Sequence, residues 1–183
     1  MEWAVSHPNF MDFIITMATS YEFKGRLVGI YTLMSNSIKR DPAYLDGYYK
    51  DQPKVGMENA FMGTYLWYFG PMYYKAKLPT NEILLKPLKN VELGSAKMDA
   101  NDVIWRNKGM MTYNAKNRVS NIKAKSLVIR VNQDELFPSD TDTIPLAKAI
   151  KGAQLFTYDS IAGHLGCVVH IKKAETVIRE FLR

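Results

Sequence analysis

The sequence of 183 residues has few features that mark an exported or membrane protein. It contains one cysteine, which excludes an internal disulfide framework and favours a reducing compartment. Its longest charge-free run, residues 59–74, is interrupted by glycine and proline and is shorter than the roughly 20 apolar residues of a membrane-spanning helix. Residues 1–8 include charge and no apolar stretch typical of a leader. We therefore expect a cytoplasmic protein that does not associate with membranes.

The charge pattern also argues against a nucleic-acid partner. The net charge is +6, yet the sequence has no run of lysine and arginine and no basic stripe at helical spacing. Hydrophobic residues make up 47% of the chain, which is too high a fraction for a disordered protein. The length suits one domain with a substantial core, or part of a larger one.

Apolar runs and helical patterns alternate at both ends of the chain. Residues 13–19 and 126–131 and Gln154–Tyr158 read as short strands, and the first of them resembles a strand that is buried on both faces. A helix is predicted at about residues 143–150. A last helix places one apolar face at Ile171, Ala174, Ile178 and Phe181. This alternation of strands and helices is typical of an α/β fold with a parallel sheet.

The middle of the chain lacks strand signals. Methionine and aromatic side chains recur there at helical spacing, as at Met57, Phe61, Tyr65 and Tyr68, and prolines, including Pro87, divide the stretch into short helices and loops. The aromatic stripe fits either ordinary helix packing or the lining of a ligand site. We therefore divide the chain into residues 1–20, a helical insertion at 21–97, and an α/β segment at 98–183.

Two residues stand where α/β proteins place their sites. Asp134 follows one predicted strand and His164 follows the next, and sites in such sheets gather beyond the carboxyl ends of the strands. An Asp followed by a His is the chain order of acid and base in an α/β-hydrolase triad. The alternative is that Asp134 begins a turn and His164 merely follows a glycine. Spacing alone leaves both open.

Other chemistry is less well supported. His164, Cys167 and His170 recur at intervals of three, but on a helix such positions fan around the axis, and a fourth zinc ligand is not evident. We therefore predict no metal site and expect Cys167 to pack as a small apolar residue. A G-x-S-x-G nucleophile elbow is missing from the sequence. Two acidic clusters, at residues 99–102 and 140–142, fit helix capping better than calcium binding.

A set of short motifs in one chain order resembles the homoserine O-acetyltransferase family of α/β-hydrolases. The matching stretches are residues 1–8, 19–20, 37–44, 47–49, 99–102, 134–138 and 163–164. The resemblance implies that the chain is the C-terminal part of an α/β-hydrolase fold with a helical lid. It also implies that Asp134 is the triad acid and His164 the base, and that the serine lies about seven residues before Met1.

Two positions depart from the family in ways that affect substrate. An aspartate follows the catalytic histidine in that family, and here Leu165 stands in its place. A lid arginine that pairs with the carboxylate of homoserine aligns with Phe61, whereas a lid tyrosine is kept as Tyr68. Without these charged groups the clamp for an amino acid is lost. We therefore expect homoserine to be a poor acceptor.

The sequence is compatible with two functions. The protein that contains this chain could transfer an acyl group or hydrolyse an ester between small-molecule donors and acceptors. Acyl-CoA is then a candidate co-substrate, no cofactor is bound, and the lid could form a homodimer. Alternatively, the 183 residues are an inactive truncated or split-gene product that acts, if at all, by association, because the triad works as a unit.

Overall fold

A computed structural model describes residues 1–95 and 97–183, which fall into two compact units. An α/β unit comprises residues 1–22, 68–72 and 114–183, and a helical unit comprises residues 23–67 and 73–113. Neither unit contains, in its described residues, a helix long and apolar enough to cross a membrane.

The α/β unit is built on a sheet of three parallel strands in the order β1 (Phe13–Met17), β2 (Lys125–Val131) and β3 (Gln154–Tyr158). β2 pairs with both neighbours, and its side chains are almost all buried, as expected of a central parallel strand. All three predicted strands are confirmed. β1 ends two residues before position 19 because Ala18 takes a positive φ of 46°, which turns the chain out of the strand.

Four helices accompany the sheet: α1 (Glu2–Ser6), α7 (Ile144–Ala149), α8 (Gly166–Val169) and α9 (Glu175–Phe181). The predicted last helix is interrupted, because a 3₁₀ turn at Ile171–Ala174 separates α8 from α9. Its predicted apolar face is nevertheless present. Ala174 and Phe181 belong to the buried cluster around β2, and Ile171 and Ile178 pack against that cluster.

Five helices lie wholly or mostly in the helical unit: α2 (Arg26–Lys39), α3 (Lys54–Tyr65), α4 (Pro71–Lys77), α5 (Asn81–Ser95) and α6 (Ala100–Met111). The first two residues of α4 belong to the α/β unit. Within the helical unit, α3 packs against α2 and α5, and α6 packs against α2. The compact helical unit thus includes α6, whereas the sequence division placed residues from 98 onward in the α/β segment.

Prolines mark some of the helix boundaries but not all of them. Pro53 and Pro71 stand at the starts of α3 and α4, where a missing N–H costs nothing. The expectation that Pro87 also divides two helices was wrong, because α5 runs through it. The helical bond lost there would have used the carbonyl of Ile83, an exposed residue, so that water can satisfy the carbonyl instead.

The capping prediction is confirmed at Asp99. At the start of α7 the expected cap was Asp142 or Thr143, and Thr143 stands at the cap position without a side-chain hydrogen bond to the helix. Asp99 Oδ1 accepts the N–H groups of Asn101 and Asp102 at the start of α6, at 2.9 and 3.1 Å. Before α7 the chain instead forms a π-turn at Ser139–Thr143, and no side chain caps that helix. Asp142 Oδ2 accepts the hydroxyl of Thr141.

Candidate active site

Asp134 is held in a tight turn directly after β2. Its N–H donates to the carbonyl of Val131 at 3.2 Å. Its Oδ1 accepts the N–H groups of Leu136 and Phe137, at 2.8 and 2.9 Å. The side chain is 2% exposed. A buried carboxylate needs such donors, and here they fix Oδ1 and leave Oδ2 for another partner.

That partner is His164, which lies in a 3₁₀ turn, Gly163–Leu165, after β3. Its Nδ1 lies 3.0 Å from Oδ2 of Asp134. Because an ionised carboxylate only accepts hydrogen bonds, we assign the proton of the neutral ring to Nδ1. Nε2 is then a hydrogen-bond acceptor, and the imidazole side chain is 19% exposed. This arrangement leaves the basic nitrogen available to a reacting group.

Two aromatic rings pack against the imidazole of His164. Tyr68 stacks on His164 with ring centroids 5.9 Å apart and an interplanar angle of 30°. Phe137 lies 5.5 Å away at 36°. The N–H of Leu165 also donates to the carbonyl of Tyr68, at 3.3 Å. These contacts restrict the rotation of the ring, so that the histidine is oriented by packing as well as by Asp134.

Gly163 allows the chain around Tyr68 to approach the histidine loop. It has a φ of +58°, and a Cβ placed there would lie 2.7 Å from the N of Gly70 and 3.1 Å from the carbonyl oxygen of Tyr68. No side chain can occupy that space without moving backbone. This close approach of two backbone segments explains why a glycine precedes the histidine, and the sequence alone did not reveal it.

Three titratable groups near the pair have pKa values that are shifted further from neutral pH. Burial, followed by the charge of Asp134, raises the pKa of the Cys167 thiol, so that this cysteine is a poor nucleophile. Cys167 packs against the core cluster, as predicted. Burial raises the pKa of Tyr158 to about 12, and its hydroxyl donates to the carbonyl of Gly166 at 2.9 Å. Hydrogen bonds from Asn132 and then Gln133 lower the pKa of Asp159.

Four of the five residues singled out from the sequence lie in the α/β unit. Asp134, His164, Tyr68 and Leu165 are linked there by the contacts above, and Phe61 is half-buried on α3 of the helical unit. His170 does not join His164 and Cys167 in a ligand set. Its Nδ1 lies 2.7 Å from Oγ of Ser160, and the described residues contain no cluster of three metal-ligating side chains.

Three residues of the site were not predicted from the sequence. Gln133 and Ser160 are hydrogen-bonded to each other across the two loops, and Phe137 packs on the imidazole. The signal available in the sequence was their position, because Gln133 and Phe137 lie close to Asp134 and Ser160 lies shortly before His164. Polar side chains in such loops, however, contact solvent equally often, so position alone does not identify these contacts.

A proton-accepting histidine oriented by a buried aspartate can activate a hydroxyl nucleophile. Within the described part of the α/β unit, no serine hydroxyl is hydrogen-bonded to His164. Ser160, four residues before it, is 4% exposed and is engaged with His170.

The chain is similar to proteins that are named as acyltransferases and esterases. The chain is 34% identical over 182 residues to a probable acyltransferase of Methanothermobacter thermautotrophicus, covering 100% of this chain and 55% of that protein. It is 25% identical to homoserine O-acetyltransferase of Haemophilus influenzae, covering 99% and 57%. The crystal structure of esterase E22 superposes with a TM-score of 0.88 at 17% identity, covering 99% and 57%. No protein-family model matches the chain.

The structural match and the parallel sheet make this an α/β-hydrolase fold, as the sequence predicted. Within that class, the chain belongs to the homoserine O-acetyltransferase-like family. It spans about half the length of the curated relatives that it matches.

Proposed function

We propose that this chain supplies the base and the acid of a Ser-His-Asp triad that transfers an acyl group or hydrolyses an ester. His164 is the base and Asp134 the acid, and the serine lies outside these 183 residues. The hydrogen bond between His164 Nδ1 and the buried Asp134 carboxylate is the observation that carries the proposal. The relatives' names, an acyltransferase and a homoserine O-acetyltransferase, support an acyl-group substrate.

The proton path follows from the assigned tautomer. Nε2 of His164 accepts the serine proton while the serine oxygen attacks the acyl carbon, and the Asp134 carboxylate stabilises the imidazolium that forms. The imidazolium then returns the proton to the leaving group, so that an acyl-serine remains. In the second half, Nε2 takes a proton from an acceptor hydroxyl or from water while the new bond to the acyl carbon forms. The acyl–serine bond then breaks, and the imidazolium returns the proton to the serine oxygen.

Homoserine is a poor acceptor in this proposal. The resemblance places an aspartate after the catalytic histidine, where it would hold the ammonium group, but Leu165 offers only an aliphatic side chain. An amino acid in a closed site needs charge-assisted contacts to replace its hydration. Phe61, which stands in place of the lid arginine, likewise offers no charge to pair with the carboxylate of homoserine. We therefore propose a less polar alcohol, or water, as the acceptor.

A comparison of esterase and transferase activity tests the proposal. The natural protein that carries this chain is assayed with p-nitrophenyl acetate and with acetyl-CoA, with and without homoserine. We expect His164→Ala to reduce turnover by about three orders of magnitude or more. His7→Ala, at an exposed histidine of the same unit, is the matched control and retains full activity. Equal turnover in both variants would exclude His164 as the base.

A second candidate is that the 183 residues alone catalyse nothing and act only by association. The open side of β1 favours it, because β1 pairs with a single strand among the described residues, and Phe13 and Met17 on it are about 40% and 39% exposed. An unpaired apolar strand edge invites pairing with another chain. Labelling of the natural protein with a serine-directed fluorophosphonate distinguishes the two: one serine should be labelled if this chain completes a triad, and none if the chain acts only by association. The isolated 183 residues should stay unlabelled in either case, and stoichiometric labelling of one of their serines would show that they carry their own nucleophile.

A further inference from the structure

A glutamine side chain joins the loop that carries Asp134 to the loop that carries His164. Gln133 Oε1 accepts the N–H of Ser160 at 2.7 Å, and Gln133 Nε2 donates to Oδ1 of Asp159 at 3.0 Å. Gln133 is adjacent to Asp134 in the chain, and Ser160 precedes His164 by four residues. The Gln133 amide therefore uses both its donor and its acceptor to tie the two catalytic loops, beside the bonds that Asn132 makes between the same segments.

The far end of this link is itself fixed. Asn132 Nδ2 donates to the same Asp159 oxygen at 2.7 Å, and Lys173 Nζ donates to the Asp159 carbonyl at 2.8 Å. Hydrogen bonds from the two amides keep the pKa of Asp159 below its usual value, so that the acceptor stays ionised at neutral pH. Asp159, to which Gln133 donates, is thus itself held in place by hydrogen bonds.

Ser160 is restrained from its other side as well. Its Oγ accepts the N–H of Ala162 at 3.2 Å and lies 2.7 Å from Nδ1 of His170. Ser160 therefore begins the histidine loop with both its backbone N–H and its side chain held in place.

We propose that Gln133 is a positioning residue that sets the distance between Asp134 and His164 during the reaction. The inference rests on the proposed function, because it concerns the same pair. Each loop follows a different strand, and the buried Asp134 cannot shift to follow His164, since Leu136 and Phe137 hold its other oxygen. Without the Gln133 side chain, the N–H of Ser160 loses its partner and the Asn132 bonds hold only Tyr158 and Asp159, so that the histidine loop beyond them can move and lengthen the bond between the pair.

Kinetics of Gln133→Leu in the natural protein test the proposal. Because misplacement by about 1 Å can cost up to 100-fold, we expect kcat for an acetyl ester to fall about tenfold, with KM changed little. Gln154→Leu, which removes an exposed glutamine of β3, is the matched control and keeps the original kcat. Gln133→Glu keeps the shape but places a carboxylate against Asp159, so it should show a similar loss and serves if the leucine variant does not fold.

A proton NMR signal separates positioning from general stabilisation. The chain has three histidines, so the hydrogen-bonded Nδ1–H of His164 can be assigned in histidine-labelled protein by substitution. Gln133→Leu should speed the exchange of this proton with water by about tenfold while the protein stays folded. Unchanged exchange and an unchanged kcat in both Gln133 variants would overturn the inference.

The same spectrum distinguishes failure of this inference from failure of the proposed function. Asp134→Asn must remove or shift the His164 Nδ1–H signal if the two residues form the proposed pair. If Asp134→Asn changes that signal and Gln133→Leu does not, the pair stands and the positioning role is wrong. If Asp134→Asn also leaves it unchanged, the proposed function fails first.

Discussion

Oδ2 of Asp134 lies 3.0 Å from Nδ1 of His164, while Oδ1 of the same carboxylate accepts two backbone N–H groups. The backbone bonds occupy Oδ1 and leave Oδ2 to accept the hydrogen bond of the imidazole. This geometry selects one imidazole tautomer and directs Nε2 away from the aspartate. The sequence feature behind it is short, since Leu136 and Phe137 follow Asp134 within three residues.

Gly163→Ala should destabilise the protein and impair the site. Its positive φ costs an alanine about 1–2 kcal/mol, and the new Cβ would lie 2.7 Å from the N of Gly70. Gly152→Ala is the matched control, since it has a φ of +73° with nothing within 4 Å of the added carbon. We expect urea unfolding to show a loss for Gly163→Ala that exceeds that of Gly152→Ala by about 2 kcal/mol. Equal losses of stability in the two variants would mean that the close backbone contact at Gly163 does not contribute to the difference.

Tyr49→Phe should show a stability loss that depends on pH. The Tyr49 hydroxyl donates to Asp99 Oδ2 at 2.7 Å, and this bond is the main cause that lowers the pKa of Asp99. A carboxyl whose pKa is lowered on folding adds stability above its unfolded pKa, and this stability is lost as the pH falls through the folded value.

The loss in Tyr49→Phe should therefore be on the order of 1 kcal/mol at pH 7. It should shrink as the pH falls below about 3.9. Tyr48→Phe is the control, because Tyr48 is 87% exposed. Chemical unfolding at several pH values checks the prediction, and a loss that is constant from pH 7 to pH 3 would contradict it.

Leu165→Asp should raise acylation of homoserine. The new carboxylate would supply the charge-assisted partner that an ammonium group needs on leaving water. We expect kcat/KM for homoserine to rise by about tenfold or more, which corresponds to roughly 1.4 kcal/mol. Leu165→Asn, polar but uncharged, is the control and should give little gain. Efficient acylation of homoserine by the original protein would show that Leu165 does not exclude this acceptor.

The sequence predicted the features that depend on local signals. Runs of apolar residues identify all three strands, and the chain order of Asp134 and His164 after two of them places both at one end of a parallel sheet. Asp99 caps α6 as its sequence position suggests.

Features that depend on tertiary contacts could not be read in the same way. The last helix breaks at Ile171–Ala174 although its apolar spacing is continuous. The need for glycine at position 163 arises from a segment about ninety positions earlier in the chain. The link between Gln133 and Ser160 joins loops from different strands, and residue type alone does not distinguish such a bond from a bond to water.

The most direct test of the account is the turnover of Asp134→Asn against Asp140→Asn in the natural protein, with a reactive acetyl ester as substrate. Asparagine preserves the size of each side chain, and Asp140 is an exposed residue of the same loop. We predict a fall of about three orders of magnitude or more for Asp134→Asn, because His164 loses its tautomer and the charge that stabilises its imidazolium. Asp140→Asn should match the original protein. If the two variants turn over the ester equally fast, Asp134 and His164 are not a catalytic pair.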